Sequence, residues 1–83
     1  MEIDGKIALV LGAAKGIGKA IGMSLARAGA TVVLTHFDWP EDAARMQQEL
    51  AALGGDHMAI RVDLRKPDQI ADLTHRIRER FGR

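Results

Sequence analysis

No cysteine and no tyrosine occur among the 83 residues of this chain. The first absence excludes a disulfide framework, a thiolate metal site and a thiol nucleophile, and fits a reducing compartment. The second removes the phenol from the side chains that could deliver a proton. Serine occurs once, as Ser24, which leaves little material for hydroxyl nucleophiles. His36, His57 and His75 stand apart, at spacings that suit neither a metal site nor a catalytic triad. No apolar run approaches the roughly 20 residues that cross a bilayer, and Met1–Asp4 lacks the basic and apolar regions of a secretory leader. A net charge of +1 is too close to zero to argue for nucleic acid or an anionic membrane as partner. The run "HRIRERFGR" is locally basic, but its arginines do not share one helical face and read as a solvated surface. The expectation is a cytoplasmic protein without a metal, nucleic-acid or membrane site.

What is present is regular. A chain of this length allows one small domain, burying only about 60–65% of the surface its unfolded form exposes. Lys6–Leu11, "KIALVL", is an apolar run of strand length, as expected for a strand covered on both faces. Ile17, Ile21 and Leu25 then recur at helical spacing, with Ala20, Ser24 and Ala28 beside them, up to a C-terminal cap near Gly29. This places Ser24 on the sheet-facing side as packing. Thr31–Thr35, "TVVLT", reads as a second buried strand. Pro40, Glu41 and Asp42 suit the first turn of a second helix with Ala43, Met46, Leu50 and Leu53 inward. "HMAIRV" alternates like a strand nearer the sheet edge. Pro67 opens a third helix with Ile70, Leu73, Ile77 and Phe81 as its apolar face. The order is βαβαβα, with connections suited to right-handed crossovers between parallel strands.

The turn "LGAAKGIGKAIG" joins the first strand to the first helix. Gly12, Gly16 and Gly18 are spaced G-x-x-x-G-x-G, which is neither G-x-G-x-x-G nor a phosphate loop of the Walker type. A turn of this kind must bring backbone N–H groups to a ligand, and side chains at its tight positions would block the approach. The first helical amides lack internal partners and the helix dipole favours an anion, so a pyrophosphate fits. Close helix–strand packing alone is the competing explanation. Asp63 follows the third strand on the crevice side, where α/β sheets bind ligands; capping a loop would explain it equally well.

The stretch "GKIALVLGAAKGIGKAIGMSLARAGATVVLT" resembles the N-terminus of the short-chain dehydrogenase/reductase family. It is most similar to the 3-oxoacyl-acyl-carrier-protein reductase branch and its sugar- and alcohol-dehydrogenase relatives. "VDL" at Val62–Leu64 and "IRERFG" at Ile77–Gly82 extend the resemblance over the whole chain. It implies the N-terminal half of a Rossmann-type, doubly wound, three-layer α/β fold with strand order 3-2-1. Residues 1–83 would form a single partial dinucleotide-binding domain, cut from a longer reductase. By the same resemblance, Gly12, Ala14, Lys15, Gly16, Ile17 and Gly18 form the dinucleotide turn, with the Ile17 N–H facing the pyrophosphate. Asp63 would accept from the adenine amino group, Leu64 would give a backbone contact, and His36 and Phe37 would flank the adenosine. Leu11 departs from the family, which places a supporting threonine there.

An acid ending the second strand would favour NAD(H), but His36 stands at that place, and Asp38 lies two residues late, where helix capping explains it. Lys15 resembles the basic residue that meets the 2′-phosphate in NADP(H)-preferring members, although Phe37 replaces a second one. NADP(H) is therefore favoured over NAD(H); a solvated surface lysine is the plain alternative. Trp39 could stack on adenine, or cover the second helix. The family's proton chemistry needs a Tyr-x-x-x-Lys pair, a Ser and an Asn from its second half, and none is here. The expectation is no catalytic residue in this chain, and an apolar first-strand edge that takes either a second copy or a complementary C-terminal segment. Two other readings compete: a small non-catalytic nucleotide-binding or regulatory module, and a self-associating structural fragment.

Overall fold

The computed structural model describes residues 3–82, so Met1 and Glu2 of the leader reading and Arg83 of the basic run lie outside the described residues. The elements are β1 (Ile7–Val10), α1 (Gly16–Arg27), β2 (Thr31–His36), α2 (Pro40–Ala52), β3 (Met58–Arg61) and α3 (Pro67–Phe81). All three strands are parallel, in the order β1-β2-β3, which is the expected 3-2-1 half sheet. The register sets Ile7 against Thr31 and Val33 against Met58. A parallel sheet needs both faces covered, and alternation along β2 sends its side chains both ways. Val32 and Leu34 meet Met23, Met46 and Leu50 of α1 and α2. Val33 turns to the other face and joins Ile60, Val62 and Leu73, with Ile77 and Phe81 of α3 against them. Three layers result, with β2 at the centre of both cores.

The first helix reaches the sheet through small residues, not through the isoleucines. Gly22 is buried, and a Cβ there would press on the Leu34 methyl groups. That contact turns Gly22, Met23, Leu25 and Ala26 inward and leaves Ile17 80% and Ile21 48% exposed. Ser24 is likewise exposed, which corrects its expected sheet-facing place. The same lesson holds at two helix ends. Leu53 of the expected α2 face lies past the last helical turn, and Ile70 lies in the first turn of α3 beyond the sheet; both are exposed. His57 accepts a hydrogen bond from the Val32 N–H through Nδ1 at 3.1 Å and so caps the start of the β2–β3 ladder. No helix among the described residues is long and apolar enough to cross a membrane.

β1 pairs on one side only. Leu9 and Leu11 are about half exposed beside that open edge, and Ile17 and Ile21 add apolar surface from α1.

Candidate functional site

The chain leaves β1 at Val10 and turns through Leu11–Lys15 into α1. Gly12 and Gly16 adopt φ of 70° and 66°. Added Cβ atoms there would meet nothing, so the left-handed backbone itself requires glycine. Gly18 has the opposite reason: its Cβ would run into the Gly12 carbonyl oxygen. Two glycines bend the turn, and the third lets the first helical turn close on it. The N–H groups of Gly16, Ile17 and Gly18 find no acceptor among the described residues; the helix ladder begins with Lys19 N–H donating to the Lys15 carbonyl at 3.4 Å. Three unpaired donors at the positive end of a 12-residue helix form a cradle suited to an anion.

The turn is held from across the sheet. The Gly12 N–H donates to Thr35 Oγ1 at 3.1 Å, and the Ala13 N–H donates to the Thr35 carbonyl at 2.7 Å. Thr35 is 1% exposed at the carboxyl end of β2. The support that Leu11 cannot give therefore comes from Thr35, 23 residues after Gly12.

Two adjoining clefts open at this carboxyl end of the sheet. One of about 420 Å³ lies among Gly12, Ala14, Lys15, Gly16, His36, Phe37, Asp38 and Trp39. A smaller one of about 130 Å³ shares Gly12, His36 and Phe37 with it and extends to Thr35, Val62, Asp63 and Leu64. The structure thus gathers eight of the ten expected site residues around one continuous depression, with Ile17 and Gly18 at the adjoining helix start. A further cleft of about 420 Å³ lies among Gln47, Leu50, Gly55 and His57 at the other end of the sheet, where the helix ends present carbonyls and not N–H donors.

Asp63 is 4% exposed and fully engaged. Its Oδ1 accepts from the Arg65 N–H at 3.0 Å and from Arg65 Nε at 2.9 Å, and its Oδ2 accepts from Nη2 at 3.1 Å. The Asp63 N–H donates to Gln69 Oε1 at 2.8 Å. Hydrogen bonds from Arg65 hold the Asp63 carboxyl below the ordinary carboxylate range, so it is an anion at neutral pH. The loop-capping explanation of Asp63 is met by Arg65, and the carboxylate still borders the smaller cleft.

Phe37 carries two guanidinium groups, Arg61 at 4.4 Å and Arg65 at 5.4 Å from its ring centre. His36 Nε2 lies 3.1 Å from Gln47 Nε2. Burial, and then the Arg61 charge, push the His36 imidazole below its usual pKa, so the ring is neutral at pH 7 and accepts from the amide. Asp38 does not cap α2; the N-cap residue is Trp39, which makes no side-chain capping bond. Trp39 is 55% exposed. Lys15 is exposed, with its Nζ 3.4 Å from the Trp39 ring centre.

Sequence reasoning passed over Thr35 and Arg65. Thr35 is a polar residue that follows the apolar run Val32–Leu34 of β2, directly beside the glycine turn, which was a usable signal. Arg65 lies two residues from Asp63, and only the loop's bend brings its guanidinium back onto the carboxylate.

Comparison with known proteins agrees with this geometry. The family model described as short chain dehydrogenase matches residues 6–83. A short chain dehydrogenase of Claviceps purpurea is 41% identical over 81 residues, covering 98% of this chain and 31% of that protein. The versicolorin reductase stcU of Emericella nidulans is 39% identical over the same shares. The present chain therefore spans about a third of the length of the curated relatives it matches. Among solved structures, a short chain dehydrogenase/reductase from Burkholderia phymatum in complex with NAD superimposes with a TM-score of 0.89 at 32% identity, covering 100% of this chain and 29% of that one. A metagenomic short-chain oxidoreductase in complex with NADP gives a TM-score of 0.86 at 36% identity, covering 100% of this chain and 37% of that one. These relatives do not single out the 3-oxoacyl-acyl-carrier-protein reductase branch.

Proposed function

The chain belongs to the short chain dehydrogenase family, and on that premise we propose that it forms the adenosine- and pyrophosphate-binding half of an NAD(P)(H)-dependent oxidoreductase. The whole protein would transfer hydride between the nicotinamide and a carbonyl or alcohol. The observation that carries this reading is the set of unpaired N–H groups at Gly16, Ile17 and Gly18 beside a cleft that runs to a buried carboxylate.

The residues fit such a cofactor. Added Cβ atoms at Gly12 and Gly16 would point into open space, and the α1 N-terminus suits a pyrophosphate. Asp63 and the Leu64 backbone would meet the adenine, with His36 and Phe37 along the adenosine. Lys15, the cation lining the larger cleft, supports NADP(H) over NAD(H). Without tyrosine, residues 1–83 alone would bind without turning over substrate. The open β1 edge, with Leu9, Leu11, Ile17 and Ile21 exposed around it, would take a complementary C-terminal segment of the same fold or a second copy. A cysteine-free chain suits a working place in the cytoplasm.

The direct test is titration with NADPH, followed by cofactor fluorescence. Saturable binding is expected, and Gly18→Val should abolish it by driving a side chain into the Gly12 carbonyl while the fold's circular dichroism persists. Absence of saturable binding in the wild type would refute the proposal.

A further inference from the structure

Trp39 is the one residue other than glycine with a positive φ among the described residues, at φ 62° and ψ 62°. A bulky side chain in the left-handed region is an outlier that persists only when its surroundings hold it there. As the N-cap residue of α2, Trp39 accepts from the Ala43 N–H at 2.8 Å through its carbonyl, but no side-chain capping bond calls for the left-handed backbone. Core packing does not explain it either, because more than half of the residue is exposed. What the conformation does achieve is a contact. It lays the indole at the mouth of the larger cleft, with the Lys15 ammonium 3.4 Å from the ring centre.

Lysine is a flexible point charge, and fixing its side chain on a ligand costs conformational entropy. An indole face attracts the ammonium from one side. The ammonium has three N–H donors, and those pointing away from the ring stay available. A lysine so held meets an anion with part of its ordering already accomplished. The remaining ionisable groups lining this cleft are His36 and Asp38, and Asp38 acts electrostatically on Arg65. Lys15 is therefore the one lysine or arginine lining the cleft.

We infer that Trp39 is a specificity-determining residue: its strained backbone holds the indole under the Lys15 ammonium, fixing that charge for a phosphate monoester at the adenosine end, the 2′-phosphate of NADP(H). The inference rests on the dinucleotide reading above and adds the residue that makes Lys15 selective. Its chemistry predicts a selective effect. An NAD(H) ribose offers only hydroxyls to the fixed charge, so loss of the indole changes little for it.

The test is calorimetric titration of the full chain with NADP⁺ and with NAD⁺. The proteins are the wild type, Trp39→Leu, Lys15→Met and the double variant, with Trp39→Asn as a second probe whose side chain tolerates the left-handed backbone. Trp39→Leu and Trp39→Asn should each weaken NADP⁺ binding about two- to fivefold, the range expected for an exposed cation–π contact, with NAD⁺ binding unchanged. In the Lys15→Met background, removing Trp39 should change NADP⁺ affinity no further. As the only tryptophan, Trp39 also reports directly, and its emission should respond to NADP⁺ more than to NAD⁺. Equal weakening of both dinucleotides, an effect that persists without Lys15, or tighter binding without the indole would each overturn the inference. If the wild type binds neither dinucleotide, the reading beneath it falls as well, and that result is distinct from the other three.

Discussion

The Asp63 carboxylate and the Arg65 guanidinium, two residues apart, close a bidentate ion pair that also takes in the Arg65 backbone N–H. The acid is buried and the arginine largely exposed, so the pair fixes the loop that borders the smaller cleft.

Because the folded pKa of Asp63 is depressed, its contribution to stability is complete above the ordinary value of 3.8. It drains away as the pH falls from there through the lowered folded value. Removing the partner by Arg65→Ala should raise the carboxyl pKa, which a carbon-detected NMR titration would read. The melting temperatures of wild type and variant should differ more at about pH 6 than at about pH 2.5. An equal difference at both would disprove the assigned cause.

Thr35→Val should cost about 1–3 kcal/mol, since it keeps the shape but leaves the Gly12 N–H without its acceptor. A domain of this size loses about 4–8 °C of melting temperature per kcal/mol. Thr35→Ser should recover most of the loss. Urea denaturation of the three proteins would decide it, and a valine variant as stable as wild type would show that the tie is not needed.

Gly22→Ala places a methyl group against Leu34, which is fully buried. Overpacking of this kind costs about 1–3 kcal/mol. The effect should appear as a lower denaturation midpoint with little change in dinucleotide affinity, because Gly22 lies one face away from the cradle.

The apolar border of β1 should make the 83-residue chain associate at high concentration. Sedimentation velocity over a concentration series should show species larger than the monomer, and the pair Leu9→Lys with Ile21→Glu should return them to monomer. A wild type that stays monomeric throughout would argue against association through this edge.

Much of this architecture was legible in the residues. Apolar runs of strand length, glycine and proline punctuation and helical spacing give the element order, and the parallel half sheet follows from the crossover lengths. The glycine turn announces its own conformation, since Gly12 and Gly16 sit where only glycine is relaxed. The inward face of α1 was not legible. Hydrophobicity ranks isoleucine above glycine, but the distance from helix to sheet is set by the smallest residues, and Gly22 wins the contact. The contacts of Trp39 and Arg65 were also hidden, because they depend on how two loops bend and not on any period in the sequence. Thr35 could have been found by asking what supports the turn once Leu11 cannot.

The bond from Gly12 to Thr35 also orders events in time. A turn whose shape is made by a residue 23 positions later cannot mature when it is synthesised; it must wait until α1 has formed and β2 has docked beside β1. Competence for an anion should therefore arise late in folding, in one step with β1–β2 pairing. On a translating ribosome, it should arise only after the second strand has cleared the exit tunnel.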